Sequence, residues 1–214
     1  MDGNVEISSI KVLSVNSGTP QFIAAKGGFT GIFKNPRKGA AHVTKDGLAG
    51  DTIVDLKHHG GVDQAVYVYC QTDYDWWRYD QGIEIHAGLF GENLTISGMV
   101  TANAHVGARL VTDTLVLEIT SHRTPCDTFA ARMGDGTFPK RFWNSRRTGF
   151  YCRVVKEGLI AQGNIMELQP YDGEIVAITE LIEREPYSNL DKSTRERFLS
   201  TPLHYKMREE LLKQ

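Results

Sequence analysis

Leu115–Arg132 reads LVLEITSHRTPCDTFAAR, and the fold assignment turns on it. Leu115, Leu117 and Ile119 alternate with Val116, Glu118 and Thr120, the period of two that marks a β-strand with one face more firmly buried than the other. Pro125 has no amide proton to offer and stops the run. From Asp127 onward the residues favour a helix, so Cys126 falls in the turn between a strand end and a first helical turn, where unpaired backbone N–H groups point outward. Such a position stabilises a thiolate, and Arg123 adds a positive charge just upstream. A sulfur placed in this way could bind a soft metal or attack an electrophile. A lone cysteine is also commonly a small buried hydrophobe, and the residues admit that reading too.

Working outward, the 214 residues suffice for one generous domain, or a main domain with a small appendage. At 41% hydrophobic and 23% charged, the composition is that of an ordinary soluble protein. No apolar run approaches a bilayer crossing, and the opening MDGNVEISSI lacks the basic and apolar regions of a signal peptide, so a cytoplasmic protein with no membrane partner is expected. A net charge of −2 speaks against a chain whose main work is gripping nucleic acid, and no stable nucleic-acid complex is expected. The three cysteines, Cys70, Cys126 and Cys152, form no CxxC pair, which argues against a disulfide framework and a four-cysteine zinc site. Cys70 closes the apolar run AVYVYC and Cys152 lies in FYCRVV, so both read as strand core and the chemistry falls to Cys126.

Ile10–Val15 has strand composition and ends at a turn cluster. Residues 24–39, AAKGGFTGIFKNPRKG, read as a loop-rich surface that brings backbone N–H groups and positive side chains together for an anion, or as a glycine-rich hairpin with solvated lysines. The segment matches neither a Walker loop nor a dinucleotide fingerprint. DTIVDL at 51–56 is expected to be a strand, followed by Lys57-His58-His59-Gly60-Gly61-Val62-Asp63 and a second strand at Ala65–Cys70. Neighbouring residues of an extended chain face opposite ways, so one imidazole can enter a cleft while the other turns aside. Proton handling or hydrogen bonding to a ligand suits that pair better than zinc, whose helical i, i+4 spacing is missing.

Thr72–Tyr79 reads as a short helix with core aromatics. Asn93, leading the alternating run LTIS, can donate and accept at once and could read a heteroaromatic edge. Further strands are expected at 109–112, 149–155 and 165–168, and helices at 128–133 and 138–147. The guanidiniums of Arg141, Arg146 and Arg147 on the second of these helices could fork onto a phosphate, dock an acidic partner, or simply be solvated. Beyond about Tyr171 the character becomes helical. Asp191 caps one helix, Thr201-Pro202 begins the last, and Leu203, Met207 and Leu211 mark one apolar stripe.

Six blocks in order resemble the MOSC domain, named for the C-terminal domain of molybdenum cofactor sulfurases, and within it the compact YiiM-like proteins. They are TGIFK at 30–34, GLAGD at 47–51, KHHGGVDQAVYVY at 57–69, LFGENLTISG at 89–98, HRTPCDTFA at 122–130 and RRTGFYCRV at 146–154, with the helical tail extending the match. The resemblance implies a mainly β (α+β) fold, with a MOSC-type β-barrel body over residues 1–172 and a C-terminal helical appendage over 173–214. It also implies a pterin-based molybdenum cofactor whose metal takes its thiolate from Cys126, and reduction of N-hydroxylated compounds such as hydroxylaminopurine-type bases and hydroxylamines. On that reading the terminal phosphate lies among Lys34, Arg123, Arg146 and Arg147, the pterin edge lies near His59, Gly60 and Asn93, and His59 or Lys57 handles a proton.

Nothing in the sequence supplies a flavin, iron–sulfur or nicotinamide site, so electrons are expected from a separate reductase, docking on the helix at 140–147 or on the tail. A homodimer is left open. Two alternatives stand beside this reading: a carrier of molybdenum cofactor or sulfur that uses Cys126 without turnover, and a zinc hydrolase built on His58, His59 and Asp63.

Overall fold

The computed structural model describes residues 9–24, 27–56 and 59–213. In chain order its elements are β1 (Ser9–Ser17), β2 (Gln21–Ile23), β3 (Gly28–Thr30), β4 (Asn35–Pro36), β5 (Ala41–Thr44), β6 (Gly47–Leu48), β7 (Val66–Cys70), α1 (Gln71–Gln81), β8 (Leu94–Ser97), β9 (Arg109–Val111), β10 (Val116–His122), α2 (Asp127–Met133), α3 (Phe138–Ser145), β11 (Phe150–Lys156), β12 (Gly158–Ile160), β13 (Ile165–Gln169), α4 (Ile178–Arg184), α5 (Lys192–Leu199) and α6 (Tyr205–Leu212). Seven strands run in the order β13-β9-β10-β11-β7-β8-β1, and β1 pairs back onto β13 through Ser9↔Glu167 and Ile10↔Met166, which closes the barrel. Closure removes the free sheet edge. The neighbouring barrel strands are antiparallel apart from the parallel pair β7 and β8.

Strand β7 shows how the sequence makes two cores from one sheet. Its five residues, VYVYC, are all buried. Val66, Val68 and Cys70 join Val12, Ile96, Leu117, Ile119, Phe150 and Cys152 in the main core. Tyr67 and Tyr69 point the other way, into an aromatic layer with Tyr74, Trp77, Phe90, Phe129, Phe138 and Phe142 contributed largely by α1, α2 and α3. Trp77 stacks on Phe142 at 6.1 Å, and its indole N–H donates to the Tyr69 hydroxyl at 2.9 Å, so the polar ends of these rings are satisfied. Tyr74, Trp76 and Trp77 of α1 are therefore packing, as expected from the sequence, while Tyr79 is exposed.

Two barrel features hold the tail. The register of β10 against β11 shifts between Ile119 and Ser121, and the Thr120 carbonyl in between accepts the His204 N–H at 3.2 Å. Asp63 accepts the Tyr205 N–H at 2.8 Å and pairs with Arg153, whose guanidinium also donates to the Pro202 carbonyl at 2.9 Å. Leu203 and Leu211 are buried, with Met207 packed beside the core, so the predicted apolar stripe joins the main core that barrel and tail share.

Three local expectations are corrected. Residues 51–56 form no strand: the Asp51 carboxylate is drawn to the Gly18 N–H, Lys34 and Asn93, and this side-chain network takes the place of ladder pairing. The helix beginning at Phe138 stops at Ser145 because Arg146 adopts a left-handed φ of 57°. The last helix starts at Tyr205, not Pro202, because the Pro202 and Leu203 carbonyls are taken by Arg153 and the His204 side chain caps the helix.

Candidate functional site

Cys126 follows β10 in extended conformation, φ −136° and ψ 173°, and stands as the N-cap of α2, the strand-to-helix turn expected from its flanks. It is partly exposed, whereas Cys70 and Cys152 are buried. Desolvation is the largest influence on its thiol and pushes the pKa up. It is outweighed by a hydrogen bond with the His59 side chain, the charge of Arg123 and the Phe129 N–H, which together bring the thiol down to about 6. Burial pushes the thiols of Cys70 and Cys152 the other way.

Arg123 is the unusual cation of the molecule. It is 5% exposed, with its Cζ 4.1 Å from the Phe129 ring centroid and 5.1 Å from that of Tyr67. Among the described residues no carboxylate is within ion-pairing distance of it, and its Nη1 has no hydrogen-bond partner. A buried guanidinium held by ring faces and lacking a carboxylate partner favours an anion beside it. Its field acts on the Cys126 sulfur.

Two cavities meet at this sulfur. The first, about 110 Å³, lies between the residue 29–34 loop, the residue 52–60 loop, the open end of β7 and Cys126. The second, about 310 Å³, lies between the end of β10 and the tail. His59, Gln64, Cys126 and Tyr151 line both. The wall of the first cavity depends on a close approach, since a Cβ at Gly31 would stand 1.9 Å from the Thr52 carbonyl oxygen. Asp51 ties the floor together by pairing with Lys34 and accepting from Asn93 Nδ2 at 2.8 Å, while Asn93 Oδ1 accepts the Tyr67 N–H at 3.1 Å.

Of the residues named from sequence, Lys34, His59, Gly60, Asn93, Arg123 and Cys126 all line the first cavity. Lys57 lies outside the described residues. Arg146 and Arg147 do not reach it. Arg146 pairs with Glu183 at 2.6 Å, and Arg147 pairs with the buried Asp73 at 2.6 Å and lies over the Trp76 ring. Asn93 is present but spends its amide within the protein. Sequence reasoning passed over Asp51, Gln64 and Tyr151. Asp51 closes the quoted GLAGD block, and a carboxylate there, after Gly50 with its positive φ, was the signal that could have found it. The strand alternation around Tyr151 gave no comparable sign. Asp63, named with the histidines for zinc, is committed to Arg153 and the tail.

A sequence profile of the MOSC domain matches residues 55–167, just over half of the chain. The chain belongs to the MOSC domain family. It is 35% identical over 159 residues to the uncharacterized protein YflK of Bacillus subtilis, a match spanning 73% of this MOSC chain and 72% of YflK. It is 30% identical over 167 residues to a Gibberella moniliformis protein named Reductase, covering 75% of this chain but 30% of the fungal one. The MOSC architecture superposes on the crystal structure of YiiM from Geobacillus stearothermophilus with a TM-score of 0.76 and 25% identity, over 95% of this chain and 98% of that one. The closed barrel with short helices expected from the sequence is the fold this MOSC protein has. Among the described residues no helix is long and apolar enough to cross a membrane.

Proposed function

We propose that this MOSC protein is a molybdenum cofactor-dependent oxidoreductase that reduces N-hydroxylated compounds. The observation that carries the reading is a thiolate-forming Cys126 at the junction of two cavities, beside a buried Arg123 that has no carboxylate partner among the described residues. MOSC domains are associated with this cofactor, and the residues fit it. Cys126 offers the soft anionic donor a molybdenum centre takes, and the orphaned Nη1 of Arg123 awaits an acceptor. Lys34 is the second cation of the first cavity, already half-committed to Asp51. Arg146 and Arg147, held by their own carboxylates, have no part in the phosphate site proposed here.

When bound, the cofactor supplies a redox-active metal able to accept an oxygen from N–OH. The net change is R₂N–OH + 2 H⁺ + 2 e⁻ → R₂NH + H₂O. His59, which lines both cavities with Cys126, is the residue that brings a proton to the departing hydroxyl oxygen in this reading. Arg123 holds the sulfur ionised. The two electrons come from a separate reductase, and a relative named a reductase that carries this segment within a longer chain is in keeping with such a partnership.

The test is molybdenum and pterin content of protein made in a cofactor-competent host, together with consumption of 6-hydroxylaminopurine under a chemical reductant. Wild type should hold close to one molybdenum per chain and turn over, and Cys126→Ser should lose both. Molybdenum without turnover would leave the carrier reading, and wild type without molybdenum ends the proposal.

A further inference from the structure

Asp63 takes no part in the chemistry above, yet it is buried and engaged on every side. It belongs to a single 3-10 turn, Val62–Gln64, entered through Gly60 and Gly61 with φ of 78° and 89°. Glycine gives the chain its bend there but little stiffness, so the place of the turn is set by what grips it. Three elements do so. The Thr120 hydroxyl of β10 donates to the Asp63 carbonyl at 2.6 Å, and Arg153 of β11 brings Nε within 3.0 Å of Oδ1. The Tyr205 N–H, at the first position of α6, donates to Oδ2 at 2.8 Å.

The chain on either side of Asp63 carries the site. His59 and Gln64 line both cavities, together with Cys126 and Tyr151. Tyr151 lies two residues from Arg153 on β11, and Arg153 Nη2 donates to the Pro202 and Leu203 carbonyls at 2.9 and 3.2 Å. The chain entering α6 is thus tied to the turn and the strand that bear His59, Gln64 and Tyr151. The tie satisfies both partners. The first N–H groups of a helix have no acceptor within it, and the barrel presents a carboxylate where the helix dipole favours negative charge.

Resting on the reading of Cys126 above for its chemistry, we propose that Asp63 is a positioning residue through which the start of α6 holds the His59–Gln64 turn against both cavities. The seating of the tail then sets the geometry of the site, and whatever lifts α6 from the barrel frees that turn.

The experiment removes one N–H. Tyr205→Pro deletes the proton donated to Asp63 at a helix position that favours proline, and the preceding His204, with φ −51° and ψ 134°, already has the conformation proline imposes. Tyr205→Ala keeps the N–H and controls for the ring. Asp63→Asn acts from the other end, because an amide that turns its oxygen to Tyr205 turns its N–H₂ toward Arg153. Amide hydrogen exchange is followed by mass spectrometry on the full chain from a cofactor-competent host, with molybdenum content and turnover of 6-hydroxylaminopurine under a chemical reductant measured on the same samples. Tyr205→Pro and Asp63→Asn should each speed exchange across residues 59–65 by about tenfold, the worth of a hydrogen bond to a charged acceptor. Exchange in β1 and β13 should stay as in wild type, and kcat should fall by about tenfold at unchanged molybdenum content. Tyr205→Ala should do neither. Wild-type exchange at 59–65 in folded Tyr205→Pro overturns the inference, as does equal acceleration in Tyr205→Ala or acceleration spread evenly over β1 and β13. Local acceleration with kcat kept in a molybdenum-loaded protein also overturns it, leaving Asp63 a fastening alone. A wild type without molybdenum ends the oxidoreductase reading, and the exchange result then decides the positioning by itself.

Discussion

Cys126, Cys70 and Cys152 carry one functional group and three environments. Two face the barrel core, where burial outweighs whatever would stabilise an anion, and the third caps a helix beside His59 and Arg123. Iodoacetamide should therefore alkylate Cys126 alone in the native protein, as followed by mass spectrometry. Because the thiolate is the reactive form and its pKa is lowered to about 6, the rate should rise through pH 6 and flatten above pH 7. His59→Ala removes a hydrogen bond to the sulfur and should move that midpoint upward. A rate still climbing between pH 8 and 9 would mean an ordinary thiol. The placement of Cys126 was readable because a strand, a proline and a helix start are local signals. The fates of Arg146 and Arg147 were not, since Glu183 and Asp73 come from distant parts of the chain.

At the scale of elements, the first cavity exists because two irregular loops touch backbone to backbone. Gly31 meets the Thr52 carbonyl so closely that any side chain must push the loops apart. Gly31→Ala should cost about 1–3 kcal/mol in denaturant unfolding, as overpacking does, and should lower molybdenum content in the cofactor-competent host. Unchanged stability and metal content would show that the loops shift freely. The segment 51–56 belongs to this pair of loops. Its composition suits a strand, and a carboxylate network of three partners holds it as a loop instead. Propensity is overridden where side-chain hydrogen bonds take the place of ladder pairing.

For the molecule as a whole, the tail is fastened to the barrel by buried polar contacts as well as by Leu203 and Leu211. His204 is the fastening that acid attacks. Its pKa is lowered in the fold, so below 6.5 the unfolded chain takes up a proton that the native one refuses until about 4. Stability from this group is full above pH 6.5 and is lost as pH falls toward 4, by at most about 3 kcal/mol. Urea unfolding at pH 7, 5.5 and 4.5 should show a steeper acid loss for wild type than for His204→Asn. Parallel curves for the two proteins would place the acid sensitivity elsewhere.

The strands β1, β7, β10, β11 and β13, the buried cysteines, the capped helix at Asp191 and the strand-to-helix position of Cys126 follow from short-range pattern, because periodicity, proline and capping act over a few residues. The closing of β1 onto β13, the sharing of β7 between two cores and the meeting of two cavities at one sulfur were decided by tertiary structure. So was the entry of His204 and Tyr187 into the neighbourhood of Cys126, across some sixty to eighty residues of chain. Such contacts depend on which surfaces remain to be buried once the barrel has closed, and no local spacing encodes that.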